Sequence, residues 1–481
     1  MLRPITPLMA LSSLFVAGIA AAADSPRPPN IVFILADDLG WTDLGCQGSK
    51  FYESPRIDRM AAEGLRFTHA HSCGPNCQPT RAALMTGQYG PRTGVYTVGG
   101  TDRFDWSERP LRPVENVTKL PLDRRTVGNV LKDAGYATAM FGKWHLGENG
   151  EHHPGRRGFD EAIVSMGKHF GFATQPKVDV PEGTYLADFL TDKAVDFIER
   201  HREKPFFLYL PHFGVHSPFE AKPELVARFH DKPAAGGHRD PVYAAMIASV
   251  DESVGRVLDT LESHGLTNNT LVIFSSDNGG VGGYVREGLK QGGDVTDNAP
   301  LRSGKGSLYE GGVRVPWIVR WPGVVPAGVC DAPIIGVDLL PTLAEFAGAQ
   351  VPESQPLDGA SLAACWKSGG KSAPERDLFW HFPGYLGAGK NTWRTTPRGA
   401  VRSGDWKLLE SFEDGAVELY NLRDDPSQTA NLAKTHPDKA LDLTRRLAAW
   451  RESVNAPMPG PNKPGAEPKR PKAKKRKKPS E

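Results

Sequence analysis

Ile31-Val32-Phe33-Ile34-Leu35 is an unbroken apolar run, and Ala36-Asp37-Asp38-Leu39-Gly40 follows it without a gap. A run apolar at every position reads as a strand buried on both faces, the pattern of a parallel sheet. The two carboxylates then stand at the carboxyl end of that strand, where open α/β sheets gather their ligands.

The same alternation continues downstream. Ser54 to Gly64, Thr126 to Gly135, Ala187 to Arg202, Val242 to Gly265 and Leu339 to Gly348 have helical spacing. Tyr136 to Phe141, Phe206 to Leu210, Leu271 to Ser275 and Val315 to Arg320 read as short apolar strands. Strands separated by helices of ten or more residues predict an α/β fold with a mostly parallel central sheet flanked by helices. Beyond about residue 370 the segments shorten: Asp377 to Phe382, Arg398 to Leu409 and Ala416 to Leu422, closed by a helix from Pro437 to about Val454. They predict a smaller C-terminal antiparallel-sheet subdomain. The expected organisation is a signal peptide (1–23), a catalytic α/β domain (24–365), a C-terminal subdomain (366–456) and a basic tail (457–481).

The chain has 481 residues, enough for two or three domains. Its formal net charge of +2 conceals an asymmetry. Nine Lys or Arg residues fall between Lys463 and Lys478, opposed by Glu467 and Glu481. Without that tail the formal charge is about −5, which excludes a nucleic-acid-binding composition for the folded body. Pro, Lys and Ala without aromatic residues cannot form a core, so the tail is expected to be solvated, with contact to polyanions as its functional reading.

Arg3, the apolar stretch Leu8 to Ala20 and the small residues Ala21-Ala22-Ala23 predict a secretory signal peptide cleaved after Ala23. The stretch is short for a membrane span, and no later segment approaches one. A periplasmic or secreted protein without a transmembrane segment in the mature chain is expected, in a compartment that permits disulfides. There are five cysteines: Cys46, Cys73, Cys77, Cys330 and Cys365. An odd count in an exported chain flags one with another task. The other four can pair or remain free; spacing decides nothing.

Cys77 stands apart. It lies in His71-Ser72-Cys73-Gly74-Pro75-Asn76-Cys77-Gln78-Pro79-Thr80-Arg81-Ala82-Ala83-Leu84-Met85-Thr86-Gly87, which contains C-x-P-x-R followed by T-G. Pro79 and Ala82-Ala83-Leu84 read as the first turns of a helix, which puts position 77 near a helix N-terminus, where amide dipoles favour anions. Ser276-Asp277-Asn278-Gly279-Gly280 repeats, at a second strand end, the acid-then-glycine turn of Asp37-Asp38. Capping explains either turn alone; together their carboxylate and amide oxygens suit a hard cation. Phe141-Gly142-Lys143-Trp144-His145-Leu146-Gly147 and Pro211-His212-Phe213-Gly214-Val215-His216-Ser217-Pro218 follow two further strands. Gly304-Lys305-Gly306 sets a lysine between glycines that let backbone approach an anion closely.

In order and in residues this set resembles the type I, formylglycine-dependent sulfatases, arylsulfatase-like members of the alkaline phosphatase superfamily. The likeness runs from about residue 30 to 455, and G-K-W-H-L-G is matched in full. It departs at Thr80, where the family often has serine or alanine. The resemblance implies that Cys77 is oxidised to formylglycine by a formylglycine-generating enzyme. It implies that Asp37, Asp38, Asp277 and Asn278, with residue 77, bind Ca²⁺ (Mg²⁺ as the second choice), and that Arg81 orients them. It implies that Lys143 and Lys305 bind sulfate, that His216 binds sulfate and protonates the leaving group, and that His145 is the base that frees sulfate from residue 77. His212 is left as either structural or pocket-lining. The substrate implied is a sulfated small molecule or glycan, with specificity in loops such as 214–238 and 281–300. Two other readings are a phosphonate or phosphodiester hydrolase of the same superfamily, and a non-catalytic polyanion-binding protein.

Overall fold

The computed structural model describes residues 27–290, 293–389 and 392–463; the expected signal peptide (1–23) and most of the basic tail lie outside the described residues. The central sheet runs, strand by strand, Ile334–Ile335, Leu65–His71, Arg314–Arg320, Thr270–Ser276, Asn30–Ala36, Phe206–Pro211, Ala137–Gly142 and Glu161–Val164, with Gly328–Cys330 also pairing Leu65–His71. From Thr270–Ser276 to Glu161–Val164 every pairing is parallel. Arg314–Arg320 runs antiparallel to both its neighbours, so the sheet is mixed but mostly parallel.

The opening apolar run is the middle of this sheet. Val32, Ile34 and Ala36 enter one core with the helices Pro55–Ala62, Leu186–His201, Pro223–His230 and Pro241–Ser263. Ile31, Phe33 and Leu35 enter the other with Cys77–Thr86, Val127–Asp133, Leu339–Ala347 and Ala363–Lys367. A strand whose alternate residues face two separate cores has no place for a polar side chain until it ends, and its first carboxylate is Asp37.

The C-terminal strands Leu378–Phe382, Arg398–Ser403, Trp406–Ser411 and Val417–Asn421 form a four-stranded antiparallel sheet, closed by Pro437–Ser453. The segment Arg398 to Leu409 is thus two strands joined at Gly404, which has a left-handed φ of 57°. The helix Ala363–Lys367 straddles the expected domain boundary, with Cys365 and Trp366 fully buried in the core of the large sheet. The small sheet packs on the large one through a shared core that joins Tyr89, Leu308 and Val313 to Leu378, Trp380 and Leu409. All five cysteines are free thiols.

Candidate active site

Four adjacent parallel strands deliver the polar residues. Asp37 and Asp38 follow Asn30–Ala36, Asp277 and Asn278 follow Thr270–Ser276, Phe206–Pro211 leads to His212 and His216, and Ala137–Gly142 leads to Lys143 and His145. Neighbouring strand ends lie about 5 Å apart, so residues distant in sequence meet here. Gly142 is required at its turn: its φ is 133°, and a Cβ there would lie 1.9 Å from the Pro211 carbonyl oxygen. Cys77 is the first residue of the helix Cys77–Thr86, with Asn76 as its N-cap. Arg81, one turn on, shares its face.

Cys77 Sγ lies 3.4 Å from Asp37 Oδ1 and 3.9 Å from Asp38 Oδ1. Lys143 Nζ donates to Asp37 Oδ2 at 2.5 Å, and Lys305 Nζ to Asp38 Oδ2 at 2.7 Å. The fully buried Arg81 donates through Nε to Asp277 Oδ2 at 2.8 Å, with Nη2 at ion-pair distance from the same oxygen (2.7 Å), and through Nη1 to the Lys143 carbonyl at 2.5 Å. Asn278 Nδ2 donates to Asp38 Oδ1 at 2.8 Å. Three carboxylates and three cations are therefore packed around one thiol. Asp38 and His145 adopt left-handed backbone, with φ of 65° and 61°. That conformation is costly for residues with a Cβ and is held by the surrounding structure.

Charge decides the protonation states. Burial alone would raise Asp37; the positive charges of Lys143, His216, Arg81 and Lys305 outweigh it and hold the carboxyl well below its usual range. Asp277 moves the other way, to about 6, through burial and the neighbouring charge of Asp37, with Arg81 opposing. Burial and the Asp277 charge push the Cys77 thiol far up, against Lys143 and Lys305. Burial, then the cations Lys143 and Arg81, hold His145 well below the usual histidine value, so it is neutral and able to accept a proton. Its Nδ1 is buried without a hydrogen-bond partner.

The donor set fits a hard divalent cation. Asp37, Asp38, Cys77 and His216 each place a ligand atom within 4.8 Å of the others. Asn278 Oδ1 is buried with no hydrogen-bond partner. A buried amide oxygen left unsatisfied beside three carboxylates is the arrangement an oxygen-liganded cation would complete. Asp277 stands at the edge of this group, its Oδ2 held by Arg81 and its Oδ1 accepting from the Asp38 amide at 3.2 Å.

The two histidines after Pro211 part company. His212 Nε2 meets Ser253 Oγ at 2.9 Å on the long helix behind the sheet, so its role is structural. His216 Nδ1 faces the Ser217 carbonyl at 2.6 Å, which makes it the donor and leaves Nε2 3.7 Å from Asp38 Oδ2. Ser165, another polar residue near a strand end, donates to the Ala173 carbonyl, outside the cluster.

Several supporting residues carry no local motif. Asn298 Nδ2 reaches the carbonyls of Gly280, Gly282 and Ser303, tying the Asp277 turn to the Lys305 loop. Tyr284 donates its hydroxyl to the Lys305 carbonyl at 2.9 Å. His169 Nε2 meets the His216 carbonyl at 2.8 Å, with its ring 4.9 Å from Phe213. Phe213 in turn presents its ring to Lys143 Nζ at 5.6 Å.

A family model described as Sulfatase matches residues 29–349, and one described as N-sulphoglucosamine sulphohydrolase, C-terminal, matches 304–453. A Sulfatase of Formosa agariphila is 35% identical, with 94% of this chain and 93% of that protein covered. The N-acetylgalactosamine-6-sulfatase of Sus scrofa is 34% identical over 83% of this chain and 76% of its own length. The solved structure of Ps i-CgsB in complex with k-i-k-neocarrahexaose is 32% identical, with a TM-score of 0.74 over 88% of this chain and 93% of that one.

Proposed function

The chain belongs to the sulfatase family and hydrolyses sulfate esters; on that premise we propose that it is exported and acts on a sulfated carbohydrate, through a formylglycine made from Cys77 and one divalent cation. The carbohydrate part rests on its relatives: an N-acetylgalactosamine-6-sulfatase, and a fold neighbour solved with a neocarrahexaose. Export rests on the N-terminal pattern of Arg3, Leu8 to Ala20 and Ala21-Ala22-Ala23.

The observation that carries the chemistry is the setting of Cys77, at a helix N-terminus with Asp37 and Asp38 within 4 Å and Lys143 and Lys305 on those same carboxylates. A thiol pushed this far up stays protonated, so thiolate attack is not what the site is built for. As formylglycine, residue 77 would supply a hydrated aldehyde, one hydroxyl to attack sulfur and the other to reform the carbonyl. Asp37, Asp38, Asp277 and Asn278 would hold the cation, Ca²⁺ rather than Mg²⁺, whose charge offsets that of the sulfate oxygens.

The remaining steps belong to the chain. Lys143 and Lys305 approach residue 77 from two different carboxylates and neutralise the sulfate as the S–O bond breaks. His216 Nε2 faces the site and, when both ring nitrogens carry protons, delivers the Nε2 proton to the leaving oxygen. Neutral His145 takes the proton whose loss frees sulfate from residue 77. Arg81 holds Asp277 and the Lys143 backbone in place without touching substrate.

Peptide mass spectrometry tests the first element. The Phe67–Arg81 tryptic peptide of active enzyme should be lighter than the sequence mass by the exchange of CH₂SH for CHO; an active enzyme with an intact thiol at 77 sinks the mechanism. The two histidines are separated by pre-steady-state kinetics. His145→Ala is expected to release about one equivalent of alcohol per site and then stall without free sulfate. His216→Ala is expected to slow that first release. The opposite assignment of the burst reverses the roles. Turnover on a panel of defined sulfated sugars identifies the substrate.

A further inference from the structure

Within the site charge is already balanced: Asp37, Asp38 and Asp277 face Lys143, Lys305 and Arg81. Two further guanidinium groups stand outside that balance. Arg394, on the strand Thr392–Thr395 of the C-terminal region, lies against the lysine loop. A Cβ on Gly306, next to Lys305, would fall 2.9 Å from Arg394 Cδ. Its guanidinium stacks 4.5 Å above the ring of Tyr284, the residue that bonds the Lys305 carbonyl. Arg394 Nε is buried without a hydrogen-bond partner.

Arg103 ends the short helix Thr101–Arg103. Burial and then the like charge of Arg394 lower its pKa. Its Nη1 donates to the Val98 carbonyl at 3.2 Å. Among the described residues neither arginine has a carboxylate at ion-pair distance, although most other arginines of the fold do. The two carriers are also braced together: Phe104, beside Arg103, packs edge-on against Trp393, beside Arg394, at 6.4 Å. Two like charges within electrostatic range of each other, with no counter-ion among the described residues, are relieved by an anion.

We propose that Arg103 and Arg394 form a subsite for a second anionic group on the sugar, a carboxylate or another sulfate, next to the sulfate that is cleaved. The proposal rests on the sulfatase reading and narrows it to polyanionic glycans. The guanidinium fork matches either anion in a bidentate manner. Arg394 joins the C-terminal region to the lysine loop, so the smaller region contributes to substrate choice directly.

The test uses three methyl glycosides of one sugar: with a single sulfate ester, with a second sulfate, and with a carboxylate in place of that second sulfate. The wild type is expected to favour a dianionic probe by about tenfold or more in kcat/KM, mainly through KM, with the preference shrinking as salt rises. Which dianion wins distinguishes carboxylate from sulfate. In Arg103→Ala and in Arg394→Ala the preference should fall, in the double variant it should approach one, and Arg394→Lys should keep part of it. Equal kcat/KM for all three probes, or an undiminished preference in the double variant, overturns the subsite. Failure to hydrolyse any probe counts against the carbohydrate reading. Calorimetric titration of the Cys77→Ala protein with the same probes then decides the subsite: tighter dianion binding lost in the double variant upholds it, and equal affinities overturn it.

Discussion

Asp277→Asn is expected to lower turnover of a sulfate ester by about 10²–10⁴-fold while the folded structure persists. The substitution preserves volume and an acceptor oxygen for Arg81, whose Nε donates to Asp277 Oδ2 in the wild type. It removes one of three carboxylate charges around residue 77. With two carboxylates left against Lys143, Lys305 and Arg81, the site loses affinity for a divalent cation and overstabilises bound sulfate relative to its transition state. Asp277→Ala differs in kind. It strands the Arg81 cation at 0% exposure, a defect that costs about 3–5 kcal/mol of stability in comparable buried pairs. The Asn variant keeps an acceptor oxygen for Arg81 and loses only the counter-charge, so its melting temperature should fall less than that of the Ala variant. Exhaustive chelation should reproduce the Asn phenotype, and added Ca²⁺ should reverse it. Undiminished turnover in Asp277→Asn, or in fully chelated enzyme, would remove Asp277 from the chemistry.

The central strand and the motifs at strand ends were legible in the sequence because each depends on contiguous residues. An apolar run such as Ile31 to Leu35 needs only its own composition to announce a strand with two buried faces. G-K-W-H-L-G and C-x-P-x-R each fit within one turn. What escaped depends on partners far along the chain. Leu65–His71, the strand that enters the Cys77 loop, was not read because it carries two histidines and its pairing shifts register between Phe67 and Ala70. That irregularity breaks the two-residue period by which a half-buried strand is recognised. The resemblance singled out His216 and left His212 as structural or pocket-lining, and only its contact with Ser253, 41 residues away, tells which of the two His212 is. Arg103 and Arg394 sit in no motif, and their proximity follows from how a loop and a hairpin pack around Phe104 and Trp393.

The second large effect is expected five residues beyond Lys305, at Glu310. Its carboxylate is fully buried, accepts from Lys407 Nζ at 2.6 Å, lies 3.1 Å from His71 Nε2, and has Arg402 Nη1 at 4.0 Å. Burial, which would raise its pKa, is outweighed by Lys407, His71 and Arg402, so it remains an anion. Lys407 and Arg402 belong to the small sheet, whereas Glu310 and His71 belong to the segments that carry Lys305 and Cys77 toward the site. Gln428 adds a bond from its side chain to the Glu310 amide, and Trp380 donates to the Ser72 carbonyl. Glu310→Ala leaves Lys407 charged and unpaired at 0% exposure, and should cost about 3–5 kcal/mol. The melting temperature should fall by about 5–10 °C. Lys407→Met alone strands the carboxylate instead and should cost a similar amount. The pair Glu310→Ala with Lys407→Met removes both charges together, so its cost should be well below the sum of the single changes, with a coupling of about 1–3 kcal/mol in the thermal cycle. Simple additivity would mean that the two charges do not depend on each other, and that this ion pair does not couple the small sheet to the active-site segments.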